Sequence, residues 1–486
     1  MSDEEKEDLQ THVSVEQEET HHLFTSEQAL NHAGFGRFNI TVLVCCTLMI
    51  SNTTILLFSP VVLLPMIQCD MKLSSFQSTF AASVVFLGYF FGNIIFGTLS
   101  DRYGRKKSIL LATISSGFLS LQFSFAPSYY WVLFFQFLLG LFAAGIIISN
   151  NLCIEFMPVH KRSYTGFMVV GLILAYTWYG LIVLYFLHHK DNWKKVLRIV
   201  HVLMFAATAP IFYILVPESP RFLLVSGQTD KAFAIYQFIW KRNRVEPIKG
   251  ELAQLRYVSG RGDMFESFKK PYLKSTLLLG WLFFVNGLTM YGVIFLVPEF
   301  KSSCNGYHKP LPGSICQALT GEDVKKLMVT SLLDIPGVFA VIPLMDYIGR
   351  KKTLCSIQVL LAASLMPLYF CRISSYSWIT LAILRTLARA ADSTLEVYAP
   401  EVYPTYFRNA GVSTVKVGER LGALLSAYVT QLLFEANFRA SLSILVLFAL
   451  FSSIVALLLP YETANKEMKD EREDADIECR TKLLDD

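Results

Sequence analysis

Apolar residues in this chain come in long runs separated by short polar joints. Twelve runs can be marked, near 38–62, 76–99, 108–126, 130–152, 164–186, 195–216, 274–298, 324–346, 353–372, 376–398, 411–434 and 437–459. Each approaches the about 20 mostly apolar residues that cross a bilayer as a helix. The pattern predicts an all-α membrane protein with twelve transmembrane helices. Polar sequence flanks and divides them, with an acidic N-terminal tail at 1–34, a linker at 217–273 and a charged C-terminal tail at 461–486. The expected division is two six-helix bundles, 35–216 and 274–460.

The polar joints repeat once per half. Gly97-Thr98-Leu99-Ser100-Asp101-Arg102-Tyr103-Gly104-Arg105-Lys106-Lys107 is echoed by Asp346-Tyr347-Ile348-Gly349-Arg350-Lys351-Lys352. Glu155-Phe156-Met157-Pro158, followed by Arg162, is echoed by Glu401-Val402-Tyr403-Pro404, followed by Arg408. Pro217-Glu218-Ser219 is echoed by Pro460-Tyr461-Glu462-Thr463. A period of half the chain is far too long for a solenoid. One long repeat of six spans fits a transporter with two pseudo-symmetric halves.

Composition agrees with a membrane class. Hydrophobic residues make up 53% and charged residues 17%, against about 25% charged in soluble domains. Basic residues of the short joints set orientation. Arg102, Arg105, Lys106 and Lys107, then His160, Lys161 and Arg162, then Arg350, Lys351 and Lys352 all fall on one side. That side, with both termini, is expected to be cytosolic, in a plasma or vesicle membrane. Lys190, Lys194, Lys195 and Arg198 run against the rule and are outvoted. Of nine cysteines, Cys304 and Cys316 share one outer polar loop and are the expected disulfide, with Cys69 as a competitor. No Cys/His spacing suggests a metal, no basic run with aromatics suggests nucleic acid, and no phosphate loop suggests ATP-driven pumping or an enzyme. No cofactor is expected. The expected partners are a small organic solute, a coupling ion if transport is driven, and membrane lipid, with the chain a monomer.

Taken together these segments resemble the major facilitator superfamily, and over nearly the whole chain the synaptic vesicle 2-related branch on its organic-ion and sugar side. The matching residues are Gly34–Phe38, Ser83–Gly88, Pro217–Arg221, Asn286 with Tyr291-Gly292, and Pro400–Thr405. The resemblance implies an inner gate built from Gly97, Asp101, Arg102, Gly104 and Arg105 and from Asp346, Gly349 and Arg350. Glu155, Arg162, Glu218, Glu401 and Arg408 would complete its charge network. It also marks departures: Ser51 and Thr54 stand where that branch has acids, and Gln136 where the superfamily often has an arginine linked to proton coupling.

Span ten carries Arg385, Arg389, Asp392 and Glu396 at helical spacing, so all four share one face. A charge at mid-membrane costs about 2.5–3.5 kcal/mol on insertion scales, so this face must meet a wet cavity or other helices. Arg385 and Asp392 are expected to serve the cavity or coupling, the alternative being an internal salt-bridge network in which they are partners. Arg389 and Asp392 can neutralise each other one turn apart, and Glu396 is expected to belong to the gate. Asn52, Asn151, Tyr179, Asn286, Tyr291, Asp334 and Arg420 are the other candidates for solute binding or coupling. The reading is a secondary or facilitative transporter of a small charged organic solute. A sugar porter and a non-transporting receptor or scaffold with the same fold are the alternatives.

Overall fold

The computed structural model describes residues 23–188, 193–253, 264–304, 321–369, 377–436 and 438–463. Every expected apolar run is helical over its described part. A short strand β1 (Leu23–Phe24) and helix α1 (Ser26–Ala33) precede the first long helix, α2 (Arg37–Met71). Then come α3 (Ser75–Tyr103), α4 (Arg105–Phe123), and the successive pieces α5 (Tyr129–Ile146) and α6 (Ile148–Glu155). A 3₁₀ stretch, Val159–Phe167, leads into α7 (Met168–His188). Helix α8 (Trp193–Val196) passes through a π stretch, Leu197–His201, into α9 (Val202–Leu215). The linker holds α10 (Pro220–Val225), α11 (Thr229–Asn243), strand β2 (Glu251–Leu252) and a 3₁₀ turn, Met264–Phe268. The second half follows with α12 (Leu273–Cys304), α13 (Gly321–Leu332), α14 (Ile335–Ile348), α15 (Arg350–Tyr369), α16 (Ser377–Val402), α17 (Arg408–Ala436) and α18 (Phe438–Leu458).

Among the described residues, seven helical stretches are long and apolar enough to cross a membrane. The remaining runs are helical but are broken, short or interrupted by charge. The eighth run breaks between α13 and α14 at Leu333-Asp334, and α16 and α17 carry the buried charges discussed below.

Two largely separate apolar cores result. One joins residues before the linker with α10, α11 and Val324 of α13. The second-half core, in two clusters, joins α12 with α14 through α18 and takes in Val169 and Ile173 of α7. Within each half one pair of helices approaches backbone to backbone. A Cβ at Gly88 or Gly140 would strike the carbonyl of Phe137 or Val85 across the α3–α5 contact. Gly418 and Gly422 bear the same relation to the carbonyls of Gly280 and Phe284 across α12–α17. Small residues permit this closeness in the absence of a hydrophobic force between lipid-immersed helices. Between the halves, α3 packs on α17 and α7 on α13 and α14.

The N-terminal segment departs from the tail read in the sequence. Thr25 caps α1, accepting from the Gln28 backbone N–H while the Gln28 side chain accepts from the Thr25 N–H. Ala29, Leu30 and Ala33 are buried. Trp240 of α11 donates its indole N–H to the Ala29 carbonyl at 3.1 Å, and Ser26 and Tyr236 share a 2.6 Å hydrogen bond. Strand β1 pairs in parallel with β2 of the linker, Leu23 opposite Glu251. The linker thus docks the N-terminal segment. The side chain of Cys304 and all of Cys316 lie outside the described residues. Cys69 is in a disulfide whose partner also lies outside them.

Candidate functional site

The first cluster closes one end of the bundle, where the repeated joints lie. Asp101 is fully buried at the end of α3. Its carboxylate accepts the Ala410 backbone N–H at 2.9 Å and the Asn409 side-chain amide at 3.0 Å. Both belong to the first turn of α17, whose free N–H groups and positive dipole end favour an anion. Arg105 pairs with Asp101 at 3.1 Å and with Glu155 at 3.4 Å, and donates to the Thr405 carbonyl at 3.1 Å. Glu155 also holds Arg408 of the opposite half at 3.1 Å. Gly97 lets the seam close: a Cβ there would lie 2.6 Å from the Ser413 Cβ. Arg102 is exposed beside this network.

The second copy matches with differences. Asp346 accepts the Ser163 hydroxyl of the first half at 2.6 Å and pairs with Arg350 at 3.4 Å. Arg350 reaches Glu401 at 3.5 Å. The joints Gly104 and Gly349 both have positive φ, 112° and 96°, and an acid sits against each. Glu218 accepts the N–H groups of Arg105 and Lys106 at 3.0 and 3.1 Å. Glu462 accepts those of Arg350 and Lys351 at 2.9 and 3.2 Å. Each caps the helix that follows. A side chain at Gly104 would meet the Glu218 carboxylate, so glycine is required there for both conformation and space.

Arg162 is the counterpart of Arg408, and it is bound by Glu27 of α1. Arg221 joins the same carboxylate at 2.6 Å. Burial alone would raise the Glu27 carboxyl, but Arg221 and Arg162 outweigh burial and lower it to about 2. Nothing in the sequence marked a residue of the tail as a partner of this charge network.

The second cluster surrounds a central cavity of about 60 Å³, room for a few water molecules. Apolar walls come from the first half, including Ile50, Leu57, Met168 and Leu172, with Tyr89 and Tyr176. Charged walls come from the second half: Arg389, Asp392, Glu396, Glu419 and Arg420, with Tyr291. Each ionised group is paired. Arg389 holds Asp392 at 3.2 Å, Lys416 holds Glu396 at 2.7 Å, and Arg420 holds Glu419 at 3.0 Å. Asn286 donates to Asp392 at 3.1 Å, Asn150 to Glu396 at 2.7 Å, and Arg420 to the Tyr291 hydroxyl at 3.2 Å. The Arg420 guanidinium lies 3.9 Å from the Tyr89 ring centre. Such pairing is what lets charge persist away from bulk water.

Several expectations change here. Arg385 pairs with Asp334 at 3.1 Å and donates to Ser331 at 2.8 Å, so Asp392 is not its partner. The break at Leu333-Asp334 brings that acid to α16, which helical spacing could not foretell. Glu396 lines the cavity and does not join the gate contacts, because α16 turns it toward Lys416. Asn52 donates to Thr208 at 2.6 Å, and Asn151 bonds Asn409 in the seam. Tyr179 is buried beside His201. These three do not line the cavity, whereas Thr54 does. Tyr89 was not singled out, since one tyrosine in an aromatic-rich span carries no mark of its own.

Two bundles joined by a linker, with a repeated charged seam beside a central cavity, are the arrangement of a membrane transporter of the major facilitator superfamily. The fold is that of the XylE proton:xylose symporter of E. coli, solved with 6-bromo-6-deoxy-D-glucose, at a TM-score of 0.66 and 13% identity over 89% of this chain and 98% of that one. The chain belongs to the sugar (and other) transporter family, whose profile matches residues 10–475. It is 28% identical to the rat (Rattus norvegicus) synaptic vesicle 2-related protein over 460 residues, covering 92% of this chain and 82% of that protein. It is 26% identical to organic cation/carnitine transporter 7 of Arabidopsis thaliana over 497 residues, covering 92% and 96%.

Two outcomes follow from the pairings. Arg385→Ala strands Asp334 and should cost about 3–5 kcal/mol, seen as lost folded protein in detergent; adding Asp334→Ala should recover most of it. A double variant as unstable as the single would show that the pair is not the reason for the loss. For Glu27, a carboxyl lowered in the folded state contributes stability above its ordinary value and loses it as pH falls through the folded one. Hydrogen exchange of residues 26–33 should therefore stay slow at about pH 5 and quicken only toward about pH 2. Glu27→Gln should quicken it at neutral pH, and unchanged protection there would contradict the assignment.

Proposed function

We propose that this chain is a twelve-span secondary or facilitative transporter that moves a small charged organic solute by alternating access. The halves 35–216 and 274–460 rock about the central cavity, with the linker 217–273 and both termini on the cytosolic side. The observation that carries this reading is the cavity itself, where five ionised side chains from α16 and α17 face an apolar wall. A solute that binds there must offer charge to these groups, because exchanging a paired buried charge for a neutral hydroxyl leaves the partner uncompensated. This disfavours the sugar reading, although the fold is shared with a xylose symporter. A relative named for organic cations and carnitine supports a charged substrate class.

In this account the structure is a gate-closed state. Asp101 and Asp346 each bond across the seam, and the contacts exist only while that side is shut, so they bias one state of the cycle. Their contribution disappears when the halves part.

Untargeted solute profiling of vesicles with and without the protein tests the function. An organic ion should accumulate or deplete, and the change should vanish in Arg389→Ala. A difference confined to neutral sugars, or no difference with folded protein present, would contradict the reading. For the gate, Asp101→Asn removes the charge that the α17 N-terminus holds. Labelling of a cysteine placed at Thr54 should rise several-fold from the cytosolic side at normal abundance. Unchanged labelling would rule out a gating role.

A further inference from the structure

We infer that Glu419 is a proton-binding site within the central cavity, and that its protonation frees Arg420 for a solute carrying one negative charge. The inference deepens the transport reading above and rests on it for its second half only. Glu419 is 4% exposed. One carboxylate oxygen pairs with Arg420 at 3.0 Å, and the other, Oε2, is buried with no hydrogen-bond partner among the described residues. Carboxylate oxygens of Asp392, Glu396 and Glu419 lie within 4.8 Å of one another. The Tyr89 hydroxyl is also fully buried without a hydrogen-bond partner among the described residues, and it lines the same cavity.

The neighbouring acids differ from Glu419 in this respect. Asp392 has Arg389 on one oxygen and Asn286 on the other. One oxygen of Glu396 receives both Lys416 and Asn150. The groups facing Glu419 come from each helix packed around it: Tyr89 of α3, Tyr291 of α12, Asp392 and Glu396 of α16, and Lys416 and Arg420 of α17 itself. The ionisable residue of α18, Arg439, is exposed. Three carboxylates this close cannot all stay charged without cost, and the one with a fully buried, unsatisfied oxygen is the natural proton acceptor.

The charge balance then fixes the solute class. Asp334, Asp392, Glu396 and Glu419 are matched by Arg385, Arg389, Lys416 and Arg420, so the buried set is neutral when every group is ionised. A hydronium ion that reaches the cavity gives its proton to Oε2, an O–H bond forming there as neutral water leaves, and the buried set loses one negative charge. The ion pair with Arg420 becomes a weaker charge–neutral contact. Arg420 stays in place through the Tyr291 hydroxyl and the Tyr89 ring, now with its charge unmatched. A monoanion restores neutrality, so proton and anion enter together.

Infrared difference spectroscopy of the full chain in lipid vesicles, stepped in pH without added solute, reads the proton directly. A buried carboxylic acid C=O band should appear on acidification. Glu419→Gln should abolish it, while Glu401→Gln at the gate should leave it. Should Glu419→Gln fail to fold, carbon-13 labelling of glutamate in the unaltered chain should move the band and labelling of aspartate should not. Absence of the band, its persistence in Glu419→Gln, or movement with labelled aspartate would overturn the proton site. The solute found by vesicle profiling should be a monoanion whose uptake rises with an inward proton gradient; a cation or a neutral solute would overturn the second half. Profiling that finds no solute would count against transport, while the infrared band still decides the proton site.

Discussion

Charge buried away from water must be matched within the protein, and this constraint organises the molecule. At least eight ionised side chains lie in the second half's interior and as many again at the gate. An unmatched one would cost several kcal/mol. The matching is done in two ways. In the cavity, acids and bases pair within α16, α17 and the break before α14. At the gate, they pair between repeat copies and across the seam, so closing that end is itself the act of matching. In the transport cycle proposed above, the same requirement makes the conformation switchable, because separating the halves exposes these charges to water, which can match them instead.

The two gate copies are alike in design and unequal in detail. In each, a carboxylate from beyond the last span of its half caps the helix after the glycine joint, and an arginine reaches a second acid of the same half. The first copy is tied directly across the seam, through Asp101 to the start of α17 and through Glu155 to Arg408. In the second, Arg162 is engaged by Glu27, so the N-terminal segment and the linker that docks it join the same charge network. A duplicated plan has thus acquired an added strap on one side only.

Much of this was legible in the sequence, for physical reasons. Helix positions followed from run length, since an apolar run in lipid has no structure open to it but a helix. The charged residues of the joints were visible because a turn with a glycine, an acid and a basic cluster was repeated. The charged face of span ten was visible from spacing. What sequence could not give was pairing in space. Arg385 meets Asp334 because the eighth run breaks at Leu333-Asp334, and no periodicity announces where that break will place an acid. Helix α1 was hidden because its buried apolar residues are only Ala29, Leu30 and Ala33, too little apolar surface to stand out from a polar tail. Lys416, Glu419 and Arg420 stood out as charges within span eleven, but spacing could not tell which acid would keep a buried oxygen without a partner.

The claim on which the rest depends is that the two halves move against each other at the gate seam. The most direct measurement is the distance between spin labels at Lys107→Cys and Lys352→Cys, exposed positions in the two repeated joints, recorded for the full chain in lipid vesicles. The account predicts a short-distance population for the closed gate, together with a longer one that grows when Asp101→Asn is introduced. A single distance, unmoved by that substitution in a well-folded protein, would contradict it.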